Sequence, residues 1–213
     1  MEEMERTPDQ EWQEPVPTEP KEKTLTKVQQ IFKDAKDILY ILAAFMLVYV
    51  LFFRAVVVVG DSMFDTLADG DRLLLISNIL YQNPKQGDIV VASKDSFRGG
   101  ECIIKRVIAT EGQTVDIDFK TGTVYVDGEA LDEPYLYSGT YRQEGVKFPL
   151  TVDKGCVFVM GDNRMDSKDS RSPDIGLIDE RELLGKVIFL MIPGTGSSDN
   201  PIDFDLSRIG VVE

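Results

Sequence analysis

Ala55-Val56-Val57-Val58-Val59-Gly60-Asp61-Ser62-Met63-Phe64-Asp65-Thr66-Leu67 joins an apolar run with strand character to a glycine-containing turn that carries a serine. A strand running into such a turn presents a hydroxyl at a sheet edge with free backbone N–H groups beside it. An attacking serine and a developing oxyanion need both. The same residues also fit an ordinary strand end whose serine bonds local backbone. The choice between these readings depends on what the rest of the chain can offer Ser62.

The chain has no histidine, so a Ser-His-Asp triad cannot be built on it. The best remaining base is Lys105, within the otherwise apolar Glu101-Cys102-Ile103-Ile104-Lys105-Arg106-Val107-Ile108-Ala109. A solvated lysine with a pKa near ~10.4 is only about 0.04% neutral at pH 7, too little for a useful base. Desolvation among isoleucines and valines favours the neutral amine. Arg106 stays charged, and alternation points it to the opposite face. A third stretch, Gly161-Asp162-Asn163-Arg164-Met165-Asp166-Ser167-Lys168-Asp169-Ser170-Arg171, leaves the apolar run Cys156 to Met160. Its carboxylates, amide, hydroxyls and guanidiniums offer partners for Arg106 and a hydroxyl to orient a lysine amine.

The 213 residues allow an anchor and one core, and the formal net charge of −14 argues against nucleic-acid binding. Residues 1–20 hold seven acids, one arginine and four prolines, and read as a disordered leader. Five lysines follow, at 21, 23, 27, 33 and 36, interleaved with Val28, Ile31 and Phe32 as in a helix lying at a membrane surface. Ile38 to Phe53 carries no charge. It spans roughly 24 Å, which a thinned bilayer and a snorkelling Arg54 accommodate as one membrane span. A cleavable signal peptide is the rival reading, but the long leader and the lack of a nearby small-X-small site favour retention. The lysines before the span and the lone Arg54 just after it place the N-terminus in the cytoplasm.

After the anchor the chain reads as strands at Val56–Val59, Arg72–Ile76, Asp88–Ala92, Cys102–Ala109, Thr114–Asp118, Thr123–Val126, Cys156–Met160 and Lys186–Ile192. Asp127-Gly128 marks a hairpin. The expected fold is mainly β, an antiparallel sheet or partly open barrel. Cys102 and Cys156 lie in predicted strands. Two small buried thiols are the favoured reading, with a disulfide as the alternative. Two cysteines without histidine give no metal site, and nothing calls for a cofactor.

The three motif-bearing segments together resemble the type I signal peptidases, membrane-bound serine proteases with a Ser-Lys dyad. The family patterns are Ser-Met-X-Pro-Thr-Leu, Lys-Arg-Val, and Gly-Asp-Asn-Arg followed by Ser-X-Asp-Ser-Arg. They appear in that order as Ser62-Met63-Phe64-Asp65-Thr66-Leu67, Lys105-Arg106-Val107, and Gly161-Asp162-Asn163-Arg164 with Ser167-Lys168-Asp169-Ser170-Arg171. The resemblance covers about residues 30–192, and Asp65 stands where the family has proline.

The resemblance implies Ser62 as nucleophile and Lys105 as base. It implies Ser167 orienting the lysine amine, with Asp162, Asn163, Asp169, Arg106 and Arg171 in support. Val56, Val58, Met63, Leu67 and Ile104 match positions lining shallow substrate pockets that favour small residues, as in Ala-X-Ala. A noncatalytic β subdomain is implied between base and last box. The expected organisation is a leader at 1–27, a membrane helix at 28–54, a catalytic β domain at 55–112 and 150–193, an inserted subdomain at 113–149, and a flexible tail at 194–213. The implied protein is a single-pass plasma-membrane protease with its catalytic domain outside. Its expected partners are signal peptides of exported preproteins and the lipid bilayer, and it works as a monomer. One rival is an inactive membrane-tethered β binding domain. Another is a self-cleaving repressor, which would carry a DNA-binding helix-turn-helix in place of the anchor.

Overall fold

In the computed structural model the described residues are 26–94, 97 and 99–212. The expected disordered leader therefore lies, up to residue 25, outside them. Helix α1 spans Lys27–Phe52. Thr26 and Gln29 open it with a capping box: the Gln29 N–H donates to Thr26 Oγ1 and the Thr26 N–H to Gln29 Oε1. Its apolar residues are exposed all round, and it is long and apolar enough to cross a membrane. The helix takes up the basic segment as well as the uncharged run, so its 26 residues rise about 39 Å. It ends at Phe52, two residues before the expected boundary at 54.

The remainder is mostly strand. β1 (Phe53–Val57), β2 (Arg72–Ser77), β3 (Ile89–Ser93) and β4 (Cys102–Thr110) come first. Next are β5 (Thr114–Asp118), β6 (Thr123–Val126), β7 (Glu129–Ala130) and β8 (Leu150–Thr151). β9 (Cys156–Met160), β10 (Ile178–Asp179), β11 (Leu183–Ile192) and β12 (Gly210–Val211) complete the set. One antiparallel sheet has the order β1-β2-β11-β3-β4-β9-β10, with β12 added on β11. A second has the order β7-β6-β5-β8. The structure is thus mainly antiparallel β with one N-terminal apolar helix, as the periodicity predicts.

Side-chain alternation explains the layers. β2 buries Leu73 and Leu75, while β5 buries Val115 and Ile117 and leaves Asp116 and Asp118 more accessible. β3 is buried at four consecutive residues, Ile89 to Ala92, because the sheet is covered on both faces there. Val90 and Ala92 join a core with Ile103, Val107 and Val159, whereas Ile89 and Val91 join another with Met63, Leu67 and Leu75. A third core packs the small sheet's Val115, Ile117, Val124 and Val126 against Ile108, Phe158 and Met160. A register shift between Val107 and Ala109 interrupts the β4–β9 ladder where Ile108 and Ala109 both enter this third core. Asp127 and Gly128 take φ of 54° and 84°, and so form the tight turn of the β6–β7 hairpin.

Several expectations are corrected. The first strand is Phe53–Val57 rather than Val56–Val59, because Val58 and Val59 already belong to the approach to the turn. β8 pairs with β5, so the second sheet reaches two residues beyond the expected boundary at 149. The tail is not free: Gly210 and Val211 pair with β11, and Arg208 makes two hydrogen bonds to the buried Asp71. The cysteines are not a buried pair. Cys102 is exposed, Cys156 is partly covered, and both are free thiols.

Phe158 is fully buried where the two sheets meet, with Phe148 edge-on to it. Phe158→Ala is expected to cost about 3–5 kcal/mol. Chemical denaturation followed by far-UV circular dichroism would measure it.

Candidate active site

Strand β1 leads through Val58 and Val59 to Gly60, whose φ of 84° turns the chain toward Ser62. Phe64 N–H closes the turn on the Asp61 carbonyl at 3.0 Å, and Leu67 N–H bonds the Met63 carbonyl at 2.8 Å. The Phe64–Asp65 peptide is cis. The backbone N–H of Ser62 has no acceptor among the described residues.

Lys105 reaches this turn from β4. Its Nζ donates to Ser62 Oγ at 2.6 Å and to the Ile104 carbonyl at 2.9 Å. The register explains why Lys105 and Arg106 part company: Lys105 lies opposite Val90 and Arg106 opposite Ile89, on the two faces of the sheet. Lys105 is only 4% exposed. Burial lowers its ammonium to about 8, against the pull of Asp169 and Asp162 and with help from the Arg171 charge. Roughly a tenth of the molecules then carry a neutral amine at pH 7.

The last box holds the turn from behind. Asn163 N–H donates to the Ser62 carbonyl at 3.1 Å, and Asn163 Nδ2 to the Asp61 carbonyl at 3.2 Å. Gly161 sits between them and Ser167. A Cβ there would stand 2.3 Å from both Ser167 Oγ and the Ser62 carbonyl oxygen, so only glycine fits. Asp162 receives Arg106 Nε and Nη2 at 2.9 and 2.8 Å and the Thr66 hydroxyl at 2.6 Å. Arg106 also stacks over the Tyr135 ring, 3.8 Å from its centroid.

Asp169 accepts from Arg171 Nε and Nη2, both at 2.8 Å, from Ser167 Oγ at 2.8 Å and from the Gly161 N–H at 3.1 Å. Burial opposes its ionisation, but these Arg171 bonds hold its carboxyl below the usual range. Ser167 thus spends its hydrogen on Asp169, and two of the three ammonium hydrogens of Lys105 go to Ser62 and Ile104; among the described residues no hydrogen bond joins Lys105 to Ser167, the residue expected to orient it.

A cleft of about 510 Å³ opens over the dyad. Val56, Val58, Met63 and Ile104 line it together with Ser62 and Lys105. Leu67 does not; it is fully buried in the core with Met63. Cys102 lies on the rim. Sequence reasoning missed Thr66, Tyr135 and the pair made by Arg164 with Glu133. Arg164 is fully buried, bonding the Gly161 carbonyl at 2.9 Å, Thr140 Oγ1 at 2.7 Å and the Glu133 carboxylate. The arginine stood in a recognised motif, but no local pattern announces Glu133. Among the described residues no three His, Cys, Asp or Glu side chains come together as a metal site would need.

A folded pKa of about 8 lies below the ordinary 10.5, so between the two the unfolded chain binds more protons. Stability therefore rises with pH across that window, and below it the full cost of burying the ammonium, about 3 kcal/mol, is present. Lys105→Met is expected to raise the melting temperature relative to wild type most at pH 7 and least near pH 10. Paired thermal melts at the two pH values would measure that difference.

The chain is similar to known proteins over most of its length. The profile of the family "Signal peptidase, peptidase S26" matches residues 31–192. A signal peptidase I of Bacillus licheniformis is 36% identical over 180 residues, covering 81% of this chain and 94% of that protein. Signal peptidase I T of Bacillus subtilis is 35% identical over 181 residues, covering 81% and 91%. The crystal structure of a signal peptidase I from Enterococcus faecalis is 29% identical, covers 49% of this chain and 97% of that one, and gives a TM-score of 0.42. With the profile and these relatives spanning most of its length, the chain belongs to the peptidase S26 family of signal peptidases.

Proposed function

We propose that this protein is a membrane-anchored serine endopeptidase that removes signal peptides from exported preproteins, with Ser62 as nucleophile and Lys105 as general base. Family membership supports the activity and substrate class. The observation that carries the residue assignment is the 2.6 Å contact between Ser62 Oγ and a lysine amine that is almost wholly buried.

The reaction follows from the chemistry of the pair. The ammonium form can only donate to Ser62, whereas the neutral amine accepts the serine proton as Oγ attacks the scissile carbonyl. Lys105 then protonates the leaving amine and afterwards activates the water that hydrolyses the acyl-enzyme. The Ser62 N–H donates to the oxyanion. Gly60 supplies no side-chain hydroxyl to it. Ser167, with its hydrogen given to Asp169, keeps lone pairs for the lysine amine. Asp162, Asn163, Asp169, Arg106 and Arg171 hold the strands and turn that carry the dyad. The branched floor of Val56, Val58 and Ile104, with Met63, admits small side chains at the first and third positions before the cut. Leu67 supports that floor from the core.

The proposed organisation is a leader at 1–26, one membrane span through α1, a catalytic domain at 55–112 and 152–193, and a noncatalytic insertion at 113–151 that includes β8. Five lysines before the uncharged run and only Arg54 just beyond it favour a cytoplasmic N-terminus and an extracytoplasmic catalytic domain at the plasma membrane. Both dyad residues lie on one chain, so a monomer suffices. The net charge of −14 argues against a nucleic-acid partner.

Detergent-solubilised protein is expected to cut a preprotein at an Ala-X-Ala site, and Ser62→Ala and Lys105→Ala are each expected to abolish cutting. Because the base acts only when neutral, kcat/KM rises with pH along a limb centred near the Lys105 value of about 8. No cutting by folded wild type from pH 6 to above 9 would overturn the reading. Activity surviving Lys105→Ala would transfer the base role to another group.

A further inference from the structure

The nucleophile turn is held from two sides, and only one of them belongs to the segment matched by the family profile. Asn163 grips its backbone. The other grip comes from residues 194–208, beyond the profile's end at 192, and it reaches three aspartates around the turn.

The nearest of these is Asp61, the neighbour of Ser62 and only 8% exposed. Its Oδ2 accepts from the Ser197 hydroxyl and from Asn200 Nδ2, the latter at 2.7 Å. Its Oδ1 is buried and has no partner among the described residues. Among the described residues the two donors from the C-terminal segment are therefore the only side-chain partners of a carboxylate removed from water. Without them both oxygens would lack a protein partner, a cost relieved by drawing water to the carboxylate or by moving Asp61 toward solvent, and either loosens the hold on the turn. Such a movement carries Ser62 with it.

The segment is itself built to hold this position. Ser197 Oγ accepts from the Asp199 and Asn200 N–H groups at 3.2 and 3.1 Å, which fixes both donors in one small loop. Gly196 N–H bonds the Asp69 carbonyl at 3.2 Å, and Asp69 Oδ1 accepts the Gly60 N–H at 2.7 Å. Asp71, fully buried, receives Gly194 N–H at 2.6 Å and both terminal nitrogens of Arg208. A Cβ on Gly194 would lie 2.1 Å from the Asp69 carbonyl oxygen, so the two backbones touch there.

The geometry points to residues 194–208 as a strap that positions the nucleophile, with Ser197 and Asn200 as positioning residues acting through Asp61. This inference rests on the peptidase reading. Among the described residues no hydrogen bond joins the strap to Ser62 Oγ or Lys105 Nζ. It fixes the residue before Ser62, and thereby both the direction of Oγ toward Lys105 and the direction of the Ser62 N–H. Loss of such alignment falls on the chemical step rather than on substrate binding.

The test compares full-length, detergent-solubilised wild type with Ser197→Ala/Asn200→Ala, Ser197→Thr and Tyr81→Phe. Tyr81 bonds Asp88 elsewhere on the sheet and serves as a control for general destabilisation. All are assayed on the Ala-X-Ala preprotein well below their melting temperatures. The double variant is expected to lose about tenfold to a hundredfold in kcat with KM changed less than about threefold. Ser197→Thr, which keeps the hydroxyl, retains most of kcat, and Tyr81→Phe loses stability without loss of kcat. An unchanged kcat in the double variant, or a loss carried by KM, overturns the strap while leaving the peptidase reading intact. Hydrogen exchange over residues 58–67 reads the same device without turnover: faster exchange at the Phe64 and Leu67 amides supports it, and unchanged exchange overturns it.

Discussion

The constraint on which the site depends is the removal of one ammonium group from water. In the proposed mechanism Lys105 is a base near neutrality only because β4 carries it into a buried site, and that burial costs about 3 kcal/mol when the amine is charged. A protein with the modest net stability of most domains cannot bear that cost on a loose frame. The central position of β4, between β3 and β9 and sealed by cores on both faces of its sheet, supplies the rigidity. Ser62 needs no such investment, since its hydroxyl is neutral and only has to be aimed.

Around the lysine the protein places charge in compensated pairs. Arg106 with Asp162, Arg171 with Asp169 and Arg164 with Glu133 are each buried, and each arginine has further oxygen partners. Buried pairs of this kind add little net stability over apolar replacements, but removal of one member is severe. Their value here is directional. Two of the aspartates attract the lysine charge while Arg171 repels it, so the network moderates a pKa that desolvation alone would push lower. It also clamps the Gly161–Asn163 backbone against Ser62.

Much of this was legible in the sequence because it is local. Alternation in Arg72–Ser77 and Thr114–Asp118, the Asp127-Gly128 turn, and the uncharged run after Lys36 depend on neighbours a few residues away. The contact of Lys105 with Ser62 was legible for a different reason: the absence of histidine left few candidates, and Lys105 stood alone among aliphatics. What escaped depends on contacts over long sequence separations. Gly-Thr-Gly-Ser-Ser at 194–198 reads as a loose end until Asp61, Asp69 and Asp71 are brought beside it. Glu133 gains meaning only from Arg164, and Leu67 moves from pocket to core because the turn after Ser62 folds it beneath Met63. Cys102 was expected inside because its neighbours are large aliphatics, yet it begins its strand at the open edge of the cleft.

That last displacement makes the cleft addressable by chemistry. Cys102 is an exposed free thiol on the rim, whereas Cys156 is partly covered and its thiol is pushed up by burial and by the nearby Asp179 and Asp153. A thiol-directed fluorophore added in limiting amount therefore discriminates between the two without mutagenesis. Attached at the cleft mouth, it would change its emission as a polypeptide enters. The protein thus carries its own attachment point for an optical reporter of occupancy, separate from the serine and the lysine.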